Sequence, residues 1–163
     1  MAEHEPVEGW DPPAATARRE ILERSRSIAI VGASSNPARA SNFVATYMLS
    51  SSADYDVFLV NPRETEILGE PVYPSLDALP STPDIVDVFR RSDDLPEIAD
   101  ETIAVGASTL WVQLGLWSAD AARRCVAEGI DVVMDRCLKI EHARFHGGLH
   151  LAGFDTGVIS SRR

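Results

Sequence analysis

Short apolar runs that alternate with segments of helical spacing dominate this chain of 163 residues. The runs are rich in β-branched and large apolar side chains, and most are apolar on both faces, as buried parallel strands are. The predicted strands are Ser27–Val31, Asp56–Val60, Asp84–Phe89, Thr109–Leu114 and Asp131–Met134. Strands that alternate with helices form βαβ units with right-handed crossovers. The sequence therefore predicts an α/β fold, a Rossmann-like three-layer sandwich with a mostly parallel sheet of about five strands.

The segments around these strands carry helix signals. A first helix is predicted over Thr16–Arg26. A second is predicted from an apolar stripe at helical spacing, formed by Phe43, Val44, Tyr47 and Met48. Two more each begin at a serine that can cap the helix and end at a glycine: Ser92 and Gly106, then Ser118 and Gly129.

Composition favours a single cytoplasmic domain. Hydrophobic residues make up 45% of the chain, enough for a core without disulfides, and no apolar run approaches the roughly 20 residues of a membrane span. The acidic N-terminus lacks the apolar segment of a secretory signal. We expect a flexible acidic arm over 1–15, one domain over 16–145 and a C-terminal tail over 146–163. Cys125 and Cys137 have no pairing pattern and are expected to be free thiols.

The net charge of −10 limits the partners. It argues against nucleic acid, whose binding depends on phosphate neutralisation, and against an anionic membrane surface. An anionic small molecule would have to be held by a local cluster of arginines against the overall field. The sequence leaves a homo-oligomer open.

The residues after each strand are the candidate site, because ligands of open α/β sheets bind outside the carboxyl ends of the strands. The loop after the first strand leads into a helix whose free amides favour an anion. Its candidate residues are Gly32, Ala33, Ser34, Ser35, Asn36, Pro37 and Arg39. Ser34 and Pro37 stand where the dinucleotide fingerprint needs further glycines. The alternative is a capped turn that binds nothing.

The next two strand ends carry cations. After the second strand come Asn61, Pro62 and Arg63. An NAD site usually has an acid there, whereas an amide and a cation suit a phosphorylated ribose. After the third strand come Phe89, Arg90 and Arg91, and two arginines can clamp a phosphate. The alternatives are a solvent-exposed arginine at the second turn and, at the third, ion pairs with Asp93, Asp94 or Glu97.

The last two strand ends are less specific. Gln113, Leu114 and Gly115 could line a narrow channel or form a tight turn that needs the glycine. Cys137, beside Arg136, is either a buried inert thiol, which we favour, or a reactive one. His142, His146 and His150 are four apart, but Gly147 and Gly148 interrupt the helix before the third histidine, and no metal site is predicted.

Taken together, these motifs resemble those of a known family. They are G-x-S in the first loop, N-P-R followed by G-x-x-x-Y-P-S-L, then V-F-R-R, Q-L-G and M-D-R-C. In combination, over Ser27 to Glu141, they resemble the small single-domain CoA-binding proteins. These are similar to the N-terminal CoA-binding domain of the succinyl-CoA synthetase α subunit.

The resemblance implies coenzyme A as the ligand. It implies that Ser34–Pro37 and Arg39 hold CoA phosphates, that Arg63 lies near the adenosine 3′-phosphate, and that Phe89–Arg91 border the nucleotide. Gln113–Gly115 would face the pantetheine arm. The synthetase's phosphohistidine belongs to a ligase domain for which the residues after Glu141 are too few. We therefore expect binding without synthetase catalysis and assign no catalytic residue. The alternatives are an NADP-dependent oxidoreductase and a ligand-free regulatory or interaction module.

Overall fold

A computed structural model describes residues 4–50 and 54–146 of the chain. The helices are α1 Ala15–Arg24, α2 Ala40–Ser50, α3 Leu95–Val105, α4 Ala119–Ala127 and α5 Leu138–His146. The strands are β1 Ser27–Val31, β2 Asp56–Val60, β3 Glu66–Ile67, β4 Glu70–Tyr73, β5 Ile85–Val88, β6 Thr109–Val112 and β7 Asp131–Val133. Each of the five predicted strands is present; the first two have the predicted bounds, and the other three are one or two residues shorter than predicted.

The strands form one seven-stranded sheet in the order β3-β4-β2-β1-β5-β6-β7. All neighbouring pairs are parallel except β3 and β4, which are antiparallel. The predicted α/β, Rossmann-like fold is therefore confirmed. The sheet has seven strands where about five are predicted, because the prediction does not include β3 and β4, which form a short hairpin. Its turn residues Leu68 and Gly69 both have positive φ, and Ile67 is the buried residue of β3.

The order of the strands places a switch point beside β1. From β1 the chain crosses to β2 on one side and later returns to β5 on the other side. Connections that leave in opposite directions open a crevice at the carboxyl edge of the sheet. Gly32, Asn61 and Phe89 directly follow β1, β2 and β5 and so meet at this crevice.

The core lies in two apolar layers, one on each face of the sheet. One layer joins Val86 and Val88 of β5 to the buried faces of α3 and α4. The other joins Ile28 and Ile30 of β1 to α1, α2 and Leu138 of α5. Strands such as β1, buried at every residue, form the middle layer. This arrangement is the predicted three-layer sandwich.

Two details of the predicted helices are wrong. Phe43 does not join the apolar stripe of α2: it is 64% exposed, and the ammonium of Lys139 lies 3.9 Å from its ring centroid. Ser92 does not cap α3, because it begins a separate 3₁₀ turn and its hydroxyl accepts a hydrogen bond from the Trp117 amide. Ser118 does cap α4, accepting from the amide of Ala121. Gly106 closes α3 in the left-handed conformation.

Residues 4–14, expected to be a flexible arm, lie against the body of the domain. Val7 is buried in the core layer beside α3 and α4. The indole of Trp10 donates to the carbonyl of Val132, and that of Trp117 donates to the carbonyl of Glu5. His4 stacks on Trp117 with ring centroids 4.0 Å apart. Aromatic side chains thus attach this segment to β7 and to the loop before α4.

None of the helices within residues 4–50 and 54–146 is both long and apolar enough to cross a bilayer.

Candidate functional site

An open groove of about 540 Å³ lies at the carboxyl edge of the sheet, over the switch point beside β1. Its lining comes from the residues that follow β1, β2 and β5 and from the first turn of α2. The lining residues are Gly32, Ser34, Arg39, Ala40, Ser41, Asn61, Pro62, Arg63, Phe89 and Arg90. The structure thus brings together half of the predicted site residues, from three separate parts of the chain.

The groove depends on a close backbone approach at Gly32. This residue has φ +88°, and a Cβ atom on it would lie 3.2 Å from the carbonyl oxygen of Phe89 and 3.2 Å from Cδ of Arg90. A glycine is therefore needed here for its conformation and for the space. Gly32, the glycine of the predicted loop, thus allows the ends of β1 and β5 to come close together.

Asn61 connects the walls of the groove. Its side-chain amide donates to the carbonyl of Ala33 at 2.6 Å, and its side-chain oxygen accepts from the amide of Arg63 at 2.8 Å. Its own backbone amide donates to the carbonyl of Tyr73. Asn61 is consequently a positioning residue, whose polar atoms hold the first loop and the Asn-Pro-Arg turn at a set distance.

Free backbone donors of the groove lie at the start of α2. The amides of Gly32 and Ala33 both donate to the carbonyl of Val60 and are not available to a ligand. The amides of Ala40 and Ser41, which line the groove, have no hydrogen-bond partner within the described part of the chain. Sequence reasoning missed these two residues, although the expected anion site at a helix N-terminus was the signal for them.

Three guanidinium groups line the groove. Arg90 forms an ion pair with Asp94 at 3.0 Å, as the alternative interpretation of this strand end expected. Arg39 and Arg63 are exposed and form no ion pair with any residue that the structure describes. In a chain with a net charge of −10, these two groups leave a local positive region at the groove.

A smaller cavity of about 270 Å³ adjoins the groove and shares Gly32, Pro62 and Arg90 with it. Its outer wall is acidic and consists of Asp94, Glu97 and Glu101. Partial burial and the nearby Glu97 carboxylate raise the pKa of Glu101. The crevice thus changes from basic to acidic across Arg90.

The remaining predicted site residues do not line the groove. Ala33 is buried, while Ser35, Asn36, Pro37 and Arg91 are exposed beside it. Gln113 is buried and its side-chain oxygen accepts from the amide of Leu138 at 3.4 Å. Leu114 is 60% exposed, and the amide of Gly115 donates to Asp135. These last residues lie farther along the same sheet edge, at the end of β6.

Cys125, Cys137 and His142 do not line the groove. Cys137 is half-buried against the core layer beneath α2 and α5. Cys125 is fully buried, and this burial raises the pKa of its thiol to about 11. His142 is buried in α5 and shares a hydrogen bond with the hydroxyl of Tyr47. His150 lies outside the described residues, so the prediction about a metal stays a prediction.

A parallel sheet with a basic groove at its switch point is typical of α/β proteins that bind nucleotides. The family model described as "CoA binding domain" matches residues 26–143. The chain belongs to this CoA-binding domain family, in agreement with the resemblance of its motifs.

Individual proteins show the same relationship. The Bacillus subtilis protein YneT is 40% identical over 131 residues, which cover 80% of this chain and 96% of that protein. A hypothetical protein from Pyrococcus horikoshii has a structure with TM-score 0.77 and 35% identity, covering 89% of this chain and 99% of that one. The crystal structure of Prb, a protein redesigned for binding, has TM-score 0.79, 36% identity and coverage of 84% and 95%.

A larger enzyme shares the fold. The dinucleotide-forming acetyl-coenzyme A synthetase 1 of Ca. Korarchaeum cryptofilum has TM-score 0.65 and 23% identity over 71% of this chain. The match covers 27% of the synthetase chain, so the two share one fold unit.

Proposed function

We propose that the protein binds coenzyme A or an acyl-CoA, with the ligand phosphates in the groove beside β1. The observation that carries the proposal is the convergence of Arg39, Arg63 and Arg90 on one groove in a strongly acidic chain. Membership of the CoA-binding domain family supports the identity of the ligand.

The diphosphate is assigned to the start of α2. The amides of Ala40 and Ser41 can donate to phosphate oxygens, and the Arg39 guanidinium lies on the same turn. A guanidinium binds phosphate through paired, charge-assisted hydrogen bonds. This end of the groove would thus neutralise the two bridging phosphates of the ligand.

The 3′-phosphate is assigned to Arg63. This residue follows β2, where a site for an unphosphorylated ribose would have an acid. Its guanidinium is exposed and forms no ion pair with the described residues, so binding would not break an existing contact. The free charge favours a ligand with a phosphate on its ribose.

The pantetheine arm is assigned to the sheet edge beyond Phe89. Leu114 follows β6 there and is 60% exposed, an apolar surface against which an uncharged arm can pack. The arm would run from the basic groove toward Leu114 and Gly115. No catalytic role is assigned to any residue, and the proposed activity is binding.

Equilibrium titration of the purified protein tests the proposal. The ligands are CoA, acetyl-CoA, 3′-dephospho-CoA, NADP and NAD, each measured by calorimetry at low and high salt. We expect CoA and acetyl-CoA to bind most tightly, and the affinity to fall with ionic strength because guanidinium–phosphate contacts are screened. Tighter binding of NADP than of CoA would favour the oxidoreductase alternative. Absence of binding by all five would favour a ligand-free module.

A further inference from the structure

A carboxylate of the protein lies against the loop that leads into α2, at whose start the ligand diphosphate is assigned. Glu64 follows Arg63 in the turn after β2 and is half-buried. Its Oε2 atom accepts a hydrogen bond from the backbone amide of Ser35 at 3.1 Å. The two residues belong to different loops, so this contact joins the end of β2 to the loop after β1.

The Ser35 amide differs from its neighbours in the charge of its partner. The amide of Asn36 donates to the Ser34 hydroxyl at 3.0 Å, and that of Ala38 donates to the Asn36 side-chain oxygen at 2.9 Å. Both of these acceptors are neutral. A hydrogen bond to a carboxylate is about twice as strong as one between neutral groups. In this structure the Ser35 amide therefore already donates to an anionic oxygen, as it would to a phosphate oxygen of the ligand.

We propose that Glu64 is an internal competitor of the ligand phosphates: its carboxylate holds the Ser35 amide, and a bound diphosphate has to displace it. The inference rests on the proposed function, which assigns the diphosphate to the start of α2, and it extends that phosphate site to the Ser35 amide in the loop that leads into α2. Displacement costs the Ser35 contact, and the freed carboxylate stays near the ligand as a like charge.

This competition sets which anions the groove retains. A ligand with many further contacts, including those to Arg63 and along the sheet edge, stays bound despite the loss. A small anion such as inorganic pyrophosphate has only the loop and Arg39 to offset it. The penalty is the same for both ligands, and it keeps the affinity for free phosphate compounds low while a large nucleotide ligand still binds.

The substitution Glu64→Gln tests the charge while retaining an oxygen that can accept from Ser35. We expect CoA and 3′-dephospho-CoA to bind about 3- to 10-fold more tightly to this variant, since both carry the diphosphate. The matched control is Glu66→Gln, which removes the same charge from the exposed residue of β3 and should change both affinities less than twofold. Unchanged or weaker binding to Glu64→Gln, or a gain for CoA alone, would overturn the inference.

A second measurement needs no ligand. In the amide NMR spectrum of the free protein, Glu64→Ala should shift the Ser35 signal and speed its hydrogen exchange, while Glu66→Ala should leave both unchanged. An unaffected Ser35 amide would overturn the contact itself. If the Ser35 amide signal changes in Glu64→Ala but neither the wild type nor any variant binds CoA, the proposed function is wrong while the contact between Glu64 and Ser35 stands. If the wild type binds CoA and Glu64→Gln binds it equally, only the role of Glu64 fails.

Discussion

The side-chain amide of Asn61 donates a 2.6 Å hydrogen bond to the backbone carbonyl of Ala33, which joins the residue after β2 to the loop after β1. The same side chain accepts from the amide of Arg63. Two walls of the groove therefore keep their spacing through one asparagine. The sequence predicts Asn61 as a ligand-binding residue. In the structure its side chain holds the backbone of Ala33 and of Arg63, and Arg63 is the residue proposed to bind the ligand.

Replacing Asn61 by alanine should both destabilise the fold and weaken ligand binding. The variant loses two hydrogen bonds and leaves the carbonyl of the buried residue Ala33 without its donor, which should cost about 1–3 kcal/mol of unfolding free energy. Urea denaturation measures this loss, and calorimetry measures the affinity for CoA. Asn36→Ala, which removes one exposed hydrogen bond to Ala38, is the control and should cost less than about 1 kcal/mol. Equal costs for the two variants would contradict the assigned role.

Gly32→Ala should be more destabilising than Gly115→Ala. Both glycines have φ +88°, so an alanine is strained at either position. A Cβ atom at Gly115 meets nothing within 4 Å, whereas at Gly32 it meets the Phe89 backbone at 3.2 Å. We expect a loss of about 1 kcal/mol for Gly115→Ala and about 2–3 kcal/mol for Gly32→Ala in urea denaturation. Equal losses of unfolding free energy in the two variants would show that the end of β1 does not approach Phe89 closely enough to exclude a Cβ atom.

Arg63→Ala should weaken binding of CoA more than binding of 3′-dephospho-CoA. One charge-assisted hydrogen bond to the 3′-phosphate contributes about 1.5–3 kcal/mol, which is tenfold or more in the dissociation constant. Calorimetry with both ligands measures the difference. Arg91→Ala changes the net charge equally, but Arg91 does not line the groove, so its effect should be small for both ligands. An equal loss of both ligands in Arg63→Ala would show that Arg63 does not recognise the 3′-phosphate.

The main sheet could be predicted because its strands are apolar on both faces. Ser27–Val31 and Asp56–Val60 are strands with the predicted bounds. The hairpin β3–β4 could not be predicted in this way, because it contains Glu66, Glu70 and Pro71 and has little apolar alternation. It is held by its pairing with the end of β2 and by the burial of Ile67, which are tertiary effects.

The groove was predictable to the extent that strand order determines which loops meet. The rule that ligands bind at strand ends identified the loops of Gly32, Asn61 and Phe89, and these meet in the structure. The rule does not say which way a side chain points. Gln113 follows β6 as expected, yet its side chain turns inward to the amide of Leu138. Glu64 was missed because its contact with Ser35 joins two loops distant in sequence.

The centre of the sheet contains a carboxyl group that the proposed function does not use. Asp87 lies in β5 between Ile30 of β1 and Trp111 of β6, and it is fully buried. Neither of its side-chain oxygens has a hydrogen-bond partner among the described residues. Burial raises the pKa of Asp87 well above its ordinary value of 3.8, because the charged form loses its hydration.

Asp87→Asn should therefore remove a pH-dependent loss of stability. Above about pH 4 the unfolded chain releases the Asp87 proton while the folded chain keeps it, so the wild type loses stability as pH rises toward the pKa of the folded state. The loss approaches about 1.4 kcal/mol per pH unit, and an asparagine of the same size does not ionise. Urea denaturation from pH 4 to 8 should show that the unfolding free energy of the variant increases relative to that of the wild type as the pH rises. Asp56→Asn, at the exposed start of β2, should keep the slope of the wild type. A difference between Asp87→Asn and the wild type that stays constant with pH would mean that Asp87 is ionised in the folded protein.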